Sequence, residues 1–137
     1  GYSTFIDMSE RSFQLESGGQ WVKGKSFPGF APIGPWLVTA ESIGDPAALD
    51  LWLEVNNERV QSSNTRQMIF GIPWLISYIS RFMPLYPGDV VATGTPPGVG
   101  MGFSPPRWLE TGDNVTAGIN GLGEQQHRCI DWTAPVD

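Results

Sequence analysis

The sequence contains little cysteine, little histidine and little positive charge. Cys129 is the single cysteine, so it cannot close a disulfide within the chain or join other thiolates in a zinc site. The 14 acidic residues outnumber the 8 basic ones, and the formal net charge is -6 without any basic run. A field of that sign repels phosphate backbones and anionic lipid surfaces, so we expect no nucleic-acid partner and no membrane partner.

Long hydrophobic stretches are also missing. The longest apolar segment, residues 68–79, includes Gly71 and Pro73 and is shorter than the roughly 20 residues that a membrane-spanning helix needs. No basic segment followed by an apolar one opens the sequence, so we expect no secretory signal. Because a single cysteine favours a reducing compartment, we predict a cytoplasmic protein.

Glycine and proline, in contrast, are abundant, with 17 and 12 residues spread along the chain. Many short strands joined by tight turns require this composition. Residues 49–55 alternate between apolar and polar side chains and predict a half-buried strand, and Asn56-Asn57 can supply the positive φ angles of a hairpin turn. We expect the return strand over residues 59–61.

One helix is predicted from Pro73 to Arg81, where apolar residues recur at a spacing of three to four and should pack on a sheet. The segments GDVVATG from Gly88 and GDNVTAG from Gly112 share a pattern that predicts two units of a turn followed by a strand. The fold class expected from these patterns is a β-rich α+β fold, a mixed β-sandwich or roll with one packed helix. We expect one domain over residues 1–137, with a frayed tail over residues 133–137.

A P-loop pattern, G-x-x-x-x-G-K-[ST], is formed by Gly19, Gly24, Lys25 and Ser26. A P-loop needs a buried strand before it and a helix after it, so that a helix N-terminus faces the phosphates. The preceding residues are mostly polar, and the following segment contains three prolines within residues 28–35. We therefore reject nucleotide binding.

Four polar residues near the start of the chain are candidates for a site. Asp7 follows a predicted strand, where its carboxylate can cap the next turn or bind a hard cation, and the pattern alone favours the cap. Arg11 and Gln14 would share one face of a helical turn and could bind an anionic or carbonyl ligand, or be solvated. Lys25 could stabilise an enolate or act as a base, or be a surface lysine.

The segment GTPPGVG over residues 94–100 follows an apolar run and predicts a rigid turn at the end of a strand. Its backbone N–H groups and the Thr95 hydroxyl could bind a carboxylate, or the turn could only reverse the chain. His127 lacks neighbours at the spacing of a catalytic triad, so we interpret it as structural. Cys129 is interpreted as a small buried hydrophobic residue.

Several ordered motifs along nearly the whole chain resemble the fumarylacetoacetate hydrolase family, namely GYSTFIDMSERSFQ, QWVKGKSFPGFAPIGPW, SSNTRQMIF, MPLYPGDVVATGTPPGVG and GLGEQQ. Within the family, GVGMGFSPPRWLETGD is similar to bacterial ureidoglycolate lyases and to hydrolases of 2,4-diketo-3-deoxy sugar acids. The resemblance implies the family's β-rich fold and a magnesium or manganese ion held by three carboxylates. It also implies a small oxo-acid substrate, and we further expect a homodimer.

The resemblance also assigns roles to residues of this chain. Asp7 matches the last of the metal-binding carboxylates, and Lys25 matches the catalytic lysine that faces the substrate and stabilises enolate charge. Arg11 and Gln14 match substrate-binding polar groups, while Gly94 and Thr95 match the turn that receives the substrate carboxylate. A divalent cation and a lysine so placed suit the cleavage of a carbon–carbon bond in a 2,4-dioxo acid.

The sequence departs from the family pattern in one respect. The Glu-x-Glu pair that supplies the other two metal carboxylates has no counterpart, and neither does the upstream His and Glu lid of the hydrolases. We therefore expect a C-terminal part of a catalytic domain that is inactive in isolation. The alternatives are an isomerase, decarboxylase or ureidoglycolate lyase of the same family, or a noncatalytic remnant that serves as an interaction module.

Overall fold

The computed structural model describes residues 1–132, which form two antiparallel sheets and few helices. The smaller sheet pairs β1 with β2, and the larger has the strand order β4-β3-β5-β6. The strands are β1 Tyr2–Phe5, β2 Ile33–Val38, β3 Asp50–Val55, β4 Glu58–Asn64, β5 Asn114–Ile119 and β6 Gly123–Arg128. The helices are α1 Arg11–Leu15, α2 Ala40–Ile43 and α3 Ile72–Ile79, with 3-10 turns at Trp21–Gly24, Thr65–Gln67 and Gly100–Gly102. This confirms the sheet-rich fold; the tail predicted to fray lies outside the described residues.

The hairpin predicted at Asn56-Asn57 is confirmed. The two asparagines have φ angles of 51° and 66° and connect β3 to β4, with Val55 opposite Glu58. Positive φ at both central residues is the geometry that matches the twist of the flanking strands. The predicted unit at Gly112 is also confirmed, because β5 follows it and pairs with both β3 and β6.

The smaller sheet is joined to β6 by side chains that reach backbone atoms. Gln125 Nε2 donates to the carbonyl oxygens of Thr4 and Gly34 at 2.7 and 3.1 Å. The Thr4 hydroxyl donates to the carbonyl oxygen of Gly123 at 3.2 Å. These bonds set the position of β1, and so of the chain that leaves it, relative to the larger sheet.

The buried core is small and lies between β5 and the end of β1. Ile6, Val115 and Ala117 form it, and Met8, Leu53 and Cys129 pack against them. Partial burial raises the pKa of the Cys129 thiol, with a smaller contribution from the Asp113 charge, in keeping with its interpretation as a small hydrophobic residue. The chain has 9636 Å² of accessible surface, compared with about 7,000 Å² for a compact monomer of its mass.

Helix α3 is present as predicted, but its packing is not. We expected its apolar stripe to lie on a sheet, yet none of its residues is buried, and Trp74, Ile76 and Tyr78 are exposed. The rings of Phe70, Trp74 and Tyr78 stack on one another at the surface, with centroids 4.0 and 4.9 Å apart. Within residues 1–132 no helix is both long and apolar enough to cross a membrane.

The strand predicted after Gly88 is wrong. Residues 88–94 contain no strand, and Val90 is exposed. A strand requires a neighbour that pairs with its N–H and C=O groups, and within residues 1–132 this segment pairs with no strand. The pattern shared with residues 112–118 therefore predicts a strand correctly only where β3 and β6 provide that pairing.

Candidate functional site

Asp7 and Lys25 form an ion pair where the chain leaves β1. Lys25 follows the 3-10 turn Trp21–Gly24, and its Nζ lies 2.8 Å from Asp7 Oδ1. The Lys25 side chain is 24% exposed and that of Asp7 is 52% exposed. The Lys25 amine thus lies beside a carboxylate that solvent can reach.

Ser9 is a second partner of Lys25 that the sequence patterns did not identify. Lys25 Nζ donates to Ser9 Oγ at 2.6 Å. Two acceptors thus hold the ammonium group, which orients the side chain beyond what the ion pair does alone. Lys25 lies at the end of a 3-10 turn and β2 is the next element, so the geometry supports the rejection of a P-loop.

Arg11 and Gln14 share one face of α1, as their spacing predicted. Arg11 Nη1 donates to Gln14 Oε1 at 2.7 Å. Gln14 is fully buried, and its Nε2 has no hydrogen-bond partner within residues 1–132. A buried amide donor without a partner costs stability unless a ligand accepts its hydrogen bond, so Gln14 is a candidate for ligand contact.

Gly24 brings Lys25 beside α1. A Cβ at Gly24 would overlap the carbonyl oxygen of Glu10 and lie 2.7 Å from Gln14 Cβ, so the two backbones approach as closely as glycine allows. The Glu10 N–H also donates to the Gly24 carbonyl oxygen at 2.9 Å. The structure thereby brings Lys25 beside Asp7, Arg11 and Gln14, which belong to an earlier motif of the sequence.

Glu10, and not Asp7, caps α1. The pattern alone favoured Asp7 as the cap, and that interpretation is wrong. Glu10 Oε2 accepts from the Phe13 N–H at 2.6 Å, and Oε1 accepts from the Ser12 N–H at 3.3 Å. The bond from Phe13, helped by those from Ser12, lowers the pKa of the Glu10 carboxyl. The sequence signal that could have identified Glu10 as the cap is an acidic residue directly before the helix. Because Glu10 caps the helix, the Asp7 carboxylate faces Lys25 instead.

The turn that contains Gly94 and Thr95 is hydrogen-bonded to β4. Gln61 of β4 donates from Nε2 to Thr95 Oγ1 at 2.9 Å and to the Pro96 carbonyl oxygen at 2.8 Å. No hydrogen bond or ion pair within the described part of the chain joins Gly94 or Thr95 to the Asp7 and Lys25 group.

His127 is exposed on β6 with its Nε2 2.8 Å from Gln125 Oε1, in keeping with a structural role.

The described residues do not by themselves form a divalent metal site. Within residues 1–132 no three His, Cys, Asp or Glu side chains are grouped so that they could hold a metal ion. Among the described residues, Asp7 is the one carboxylate that pairs with Lys25, through its Oδ1. Magnesium sites in proteins combine carboxylates with water and substrate oxygens, so Asp7 alone could supply one ligand of such a site.

Comparison with known proteins identifies the family. A sequence model described as fumarylacetoacetate (FAA) hydrolase C-terminal matches residues 1–130. A provisionally named hydrolase of Burkholderia cenocepacia (strain HI2424) is 55% identical over 132 residues, which cover 96% of this chain and 47% of that protein. The chain therefore belongs to the fumarylacetoacetate hydrolase family, and it spans about half the length of the curated relatives that it matches.

Solved structures agree with this assignment. Maleylpyruvate hydrolase from Sphingobium sp. SYK-6, in complex with manganese(II) and pyruvate, is 38% identical with a TM-score of 0.80, over 95% of this chain and 44% of that one. A 2-hydroxyhepta-2,4-diene-1,7-dioate isomerase from Mycobacterium marinum is 40% identical with a TM-score of 0.83, over 95% of this chain and 47% of that one. The family fold is thus shared by enzymes named for hydrolysis and for isomerisation.

Proposed function

We propose that this chain supplies one wall of an active site, formed by Lys25 and the polar side chains around it. The site hydrolyses a carbon–carbon bond in a 2,4-dioxo acid of the acylpyruvate type. The observation that carries the proposal is the Lys25 ammonium group, held by Asp7 and Ser9 beside the Arg11 and Gln14 pair. Support comes from the relative whose structure contains pyruvate, a 2-oxo acid. We retain a single domain and a cytoplasmic location as parts of the proposal.

The proposed reaction develops negative charge that this wall can stabilise. Water adds to the distal oxo carbon, and the bond from that carbon to the next one breaks. Its electron pair leaves as the enolate of a 2-oxo acid, which then takes a proton. Lys25 is suited to offset the enolate charge, because a fixed ammonium group stabilises charge that develops in the transition state. Arg11 and the Gln14 N–H, which has no partner within the described residues, are suited to bind substrate oxygens.

The proposal includes a divalent ion, magnesium or manganese, with Asp7 as one of its ligands. The manganese(II) in the maleylpyruvate hydrolase structure supports this choice of ion class. Because the described residues contribute one carboxylate, the further ligands would have to come from outside them. We therefore expect the isolated 137-residue chain to bind manganese(II) weakly and to lack activity.

Product analysis tests the reaction. The native gene product that contains these residues is incubated with acetylpyruvate and manganese(II) or magnesium, and the products are identified by mass spectrometry. We expect two acids, with turnover lost in Lys25→Met and retained in the matched control Lys23→Met, since Lys23 is an exposed lysine of the same segment. Turnover by the isolated 137-residue chain would contradict the expected inactivity.

Isomerisation is the second candidate, favoured by the isomerase among the similar structures. A product of unchanged mass would identify it, and loss of carbon dioxide would identify a decarboxylase. Ureidoglycolate lyase activity would release urea from ureidoglycolate. All of these reactions need a stabilised enolate or a related anion, so Lys25 would have a comparable role in each.

A homodimer remains a proposal that the large accessible surface supports. The excess of roughly 2,600 Å² over a compact monomer is about the area that one partner of a large obligate interface buries. Light scattering after size exclusion would give the mass directly.

The alternative of a noncatalytic remnant has its own test. Such a remnant would show no change in melting temperature with manganese(II) plus oxalate, whereas ligand binding to a competent site raises that temperature.

A further inference from the structure

Gln61 is a buried polar residue that the reaction outlined above does not use. It lies on β4 and is 7% exposed. Its Nε2 donates both of its protons, one to Thr95 Oγ1 at 2.9 Å and the other to the Pro96 carbonyl oxygen at 2.8 Å. A carbonyl oxygen can only accept, so the bond to Pro96 determines which way the amide faces.

A second contact holds the same turn against β4. A Cβ at Gly98 would overlap the carbonyl oxygen of Val60 and lie 3.0 Å from Gln61 Cγ. The backbone at Gly98 therefore lies directly on the strand beside Gln61. The turn is attached to β4 at both of its ends, by the amide of Gln61 at Thr95 and Pro96 and by close backbone packing at Gly98.

The bond from Gln61 determines the hydrogen-bonding polarity of Thr95. A threonine hydroxyl has one proton to donate and two lone pairs, and Gln61 donates to one of those lone pairs. Within the described residues no acceptor takes the Thr95 hydroxyl proton, and Thr95 is exposed. The proton is therefore available to a ligand that accepts hydrogen bonds, and a carboxylate does only that.

We propose that Gln61 is a positioning residue that makes Thr95 a hydrogen-bond donor for the carboxylate of an oxo acid. The proposal rests on the proposed function, because that function provides the carboxylate. Gln61 does not touch the ligand and acts through Thr95 and the Pro96 carbonyl. A hydrogen-bond donor at position 61 is essential, because an acceptor there would take the Thr95 hydroxyl proton and repel the Pro96 carbonyl oxygen.

The test compares Gln61→Glu with Gln61→Met, Thr95→Val and the control Gln126→Glu. Glutamate keeps the shape of glutamine but has no donor, methionine removes all polarity, and Gln126 is an exposed glutamine on β6. In the native gene product, we expect Gln61→Glu to raise the inhibition constant for pyruvate about tenfold to a hundredfold, as for a lost charged hydrogen bond. KM should rise similarly with a smaller change in kcat, and Gln126→Glu should match the wild type.

A double-mutant cycle separates positioning from general stability. If Gln61 acts through the Thr95 hydroxyl, the double variant Gln61→Glu with Thr95→Val binds pyruvate no worse than Thr95→Val alone. Additive losses, or a wild-type inhibition constant in Gln61→Glu, would overturn the proposal. Should Gln61→Glu fail to fold, Gln61→Met is expected to give the same non-additive result.

A ligand-free readout distinguishes failure of this proposal from failure of the proposed function. In the native gene product without ligand, heteronuclear NMR of Gln61→Glu should show altered amide shifts and faster hydrogen exchange at Thr95 and at residues 98–99, and Gln126→Glu should not. Unchanged amides there would overturn the positioning role. If the amides are altered but the protein does not bind pyruvate, Thr95 is not a carboxylate donor. If the protein also fails to cleave a 2,4-dioxo acid, the proposed function is wrong as well.

Discussion

The ammonium nitrogen of Lys25 lies 2.8 Å from Asp7 Oδ1 and joins the chain after β1 to the chain after the first 3-10 turn. Because the Asp7 side chain is 52% exposed, water screens this pair. A cycle of Asp7→Asn, Lys25→Met and the double variant should give a coupling energy of about 0.2–1 kcal/mol in urea unfolding. Activity should fall far more than stability does. A coupling above about 3 kcal/mol would indicate a pair buried from solvent.

The Gln14 amide, whose Nε2 has no partner within residues 1–132, predicts a difference between stability and function. In Gln14→Met the bond from Arg11 is lost, but so is a buried donor whose missing partner costs about 1–3 kcal/mol. The two effects oppose each other, so we expect the free energy of unfolding to change by less than about 1 kcal/mol. Binding of pyruvate to the native gene product should nevertheless be strongly weakened. A loss of several kcal/mol in chemical denaturation would show that Gln14 is satisfied in the folded protein.

Gly98 and Gly88 form a matched pair for testing the close approach of the turn to β4. Their φ angles are 107° and 99°, but a Cβ at Gly88 would meet nothing within 4 Å, whereas at Gly98 it would overlap the Val60 carbonyl oxygen. Gly88→Ala should lose about 1–3 kcal/mol from backbone strain alone. Gly98→Ala should lose clearly more, measured by thermal and urea unfolding. Equal losses would mean that the turn does not lie on β4.

Glu10 predicts a defined acid dependence of stability. Its folded-state pKa is lowered, so its carboxylate stabilises the fold above the unfolded-state value of about 4.3, and this contribution is lost as the pH falls through the folded-state pKa. Glu10→Gln should melt at a lower temperature than the wild type at pH 6, and the difference should shrink at about pH 3. Glu16→Gln, at the other end of α1, is the control and should follow the wild-type curve.

Part of the candidate site followed from local spacing. The shared face of Arg11 and Gln14 depends on one helical turn, and the hairpin at Asn56-Asn57 depends on two residues that tolerate positive φ, so both could be predicted. The partners of Asp7 could not. Whether its carboxylate capped α1 or faced Lys25 depended on Glu10 taking the cap, and the pattern favoured the other outcome.

Sequence by itself determined the family, through motifs along nearly the whole chain. It also determined the alternation that forms β3 and the turn that follows it, because these depend on neighbours a few positions apart. Tertiary structure alone decided that residues 88–94 form no strand, that the stripe of α3 is exposed and that Gln61 holds Thr95. These outcomes depend on contacts between distant segments. The same pattern at Gly88 and Gly112 gave different structures because pairing and burial are supplied by whatever lies beside a segment in space.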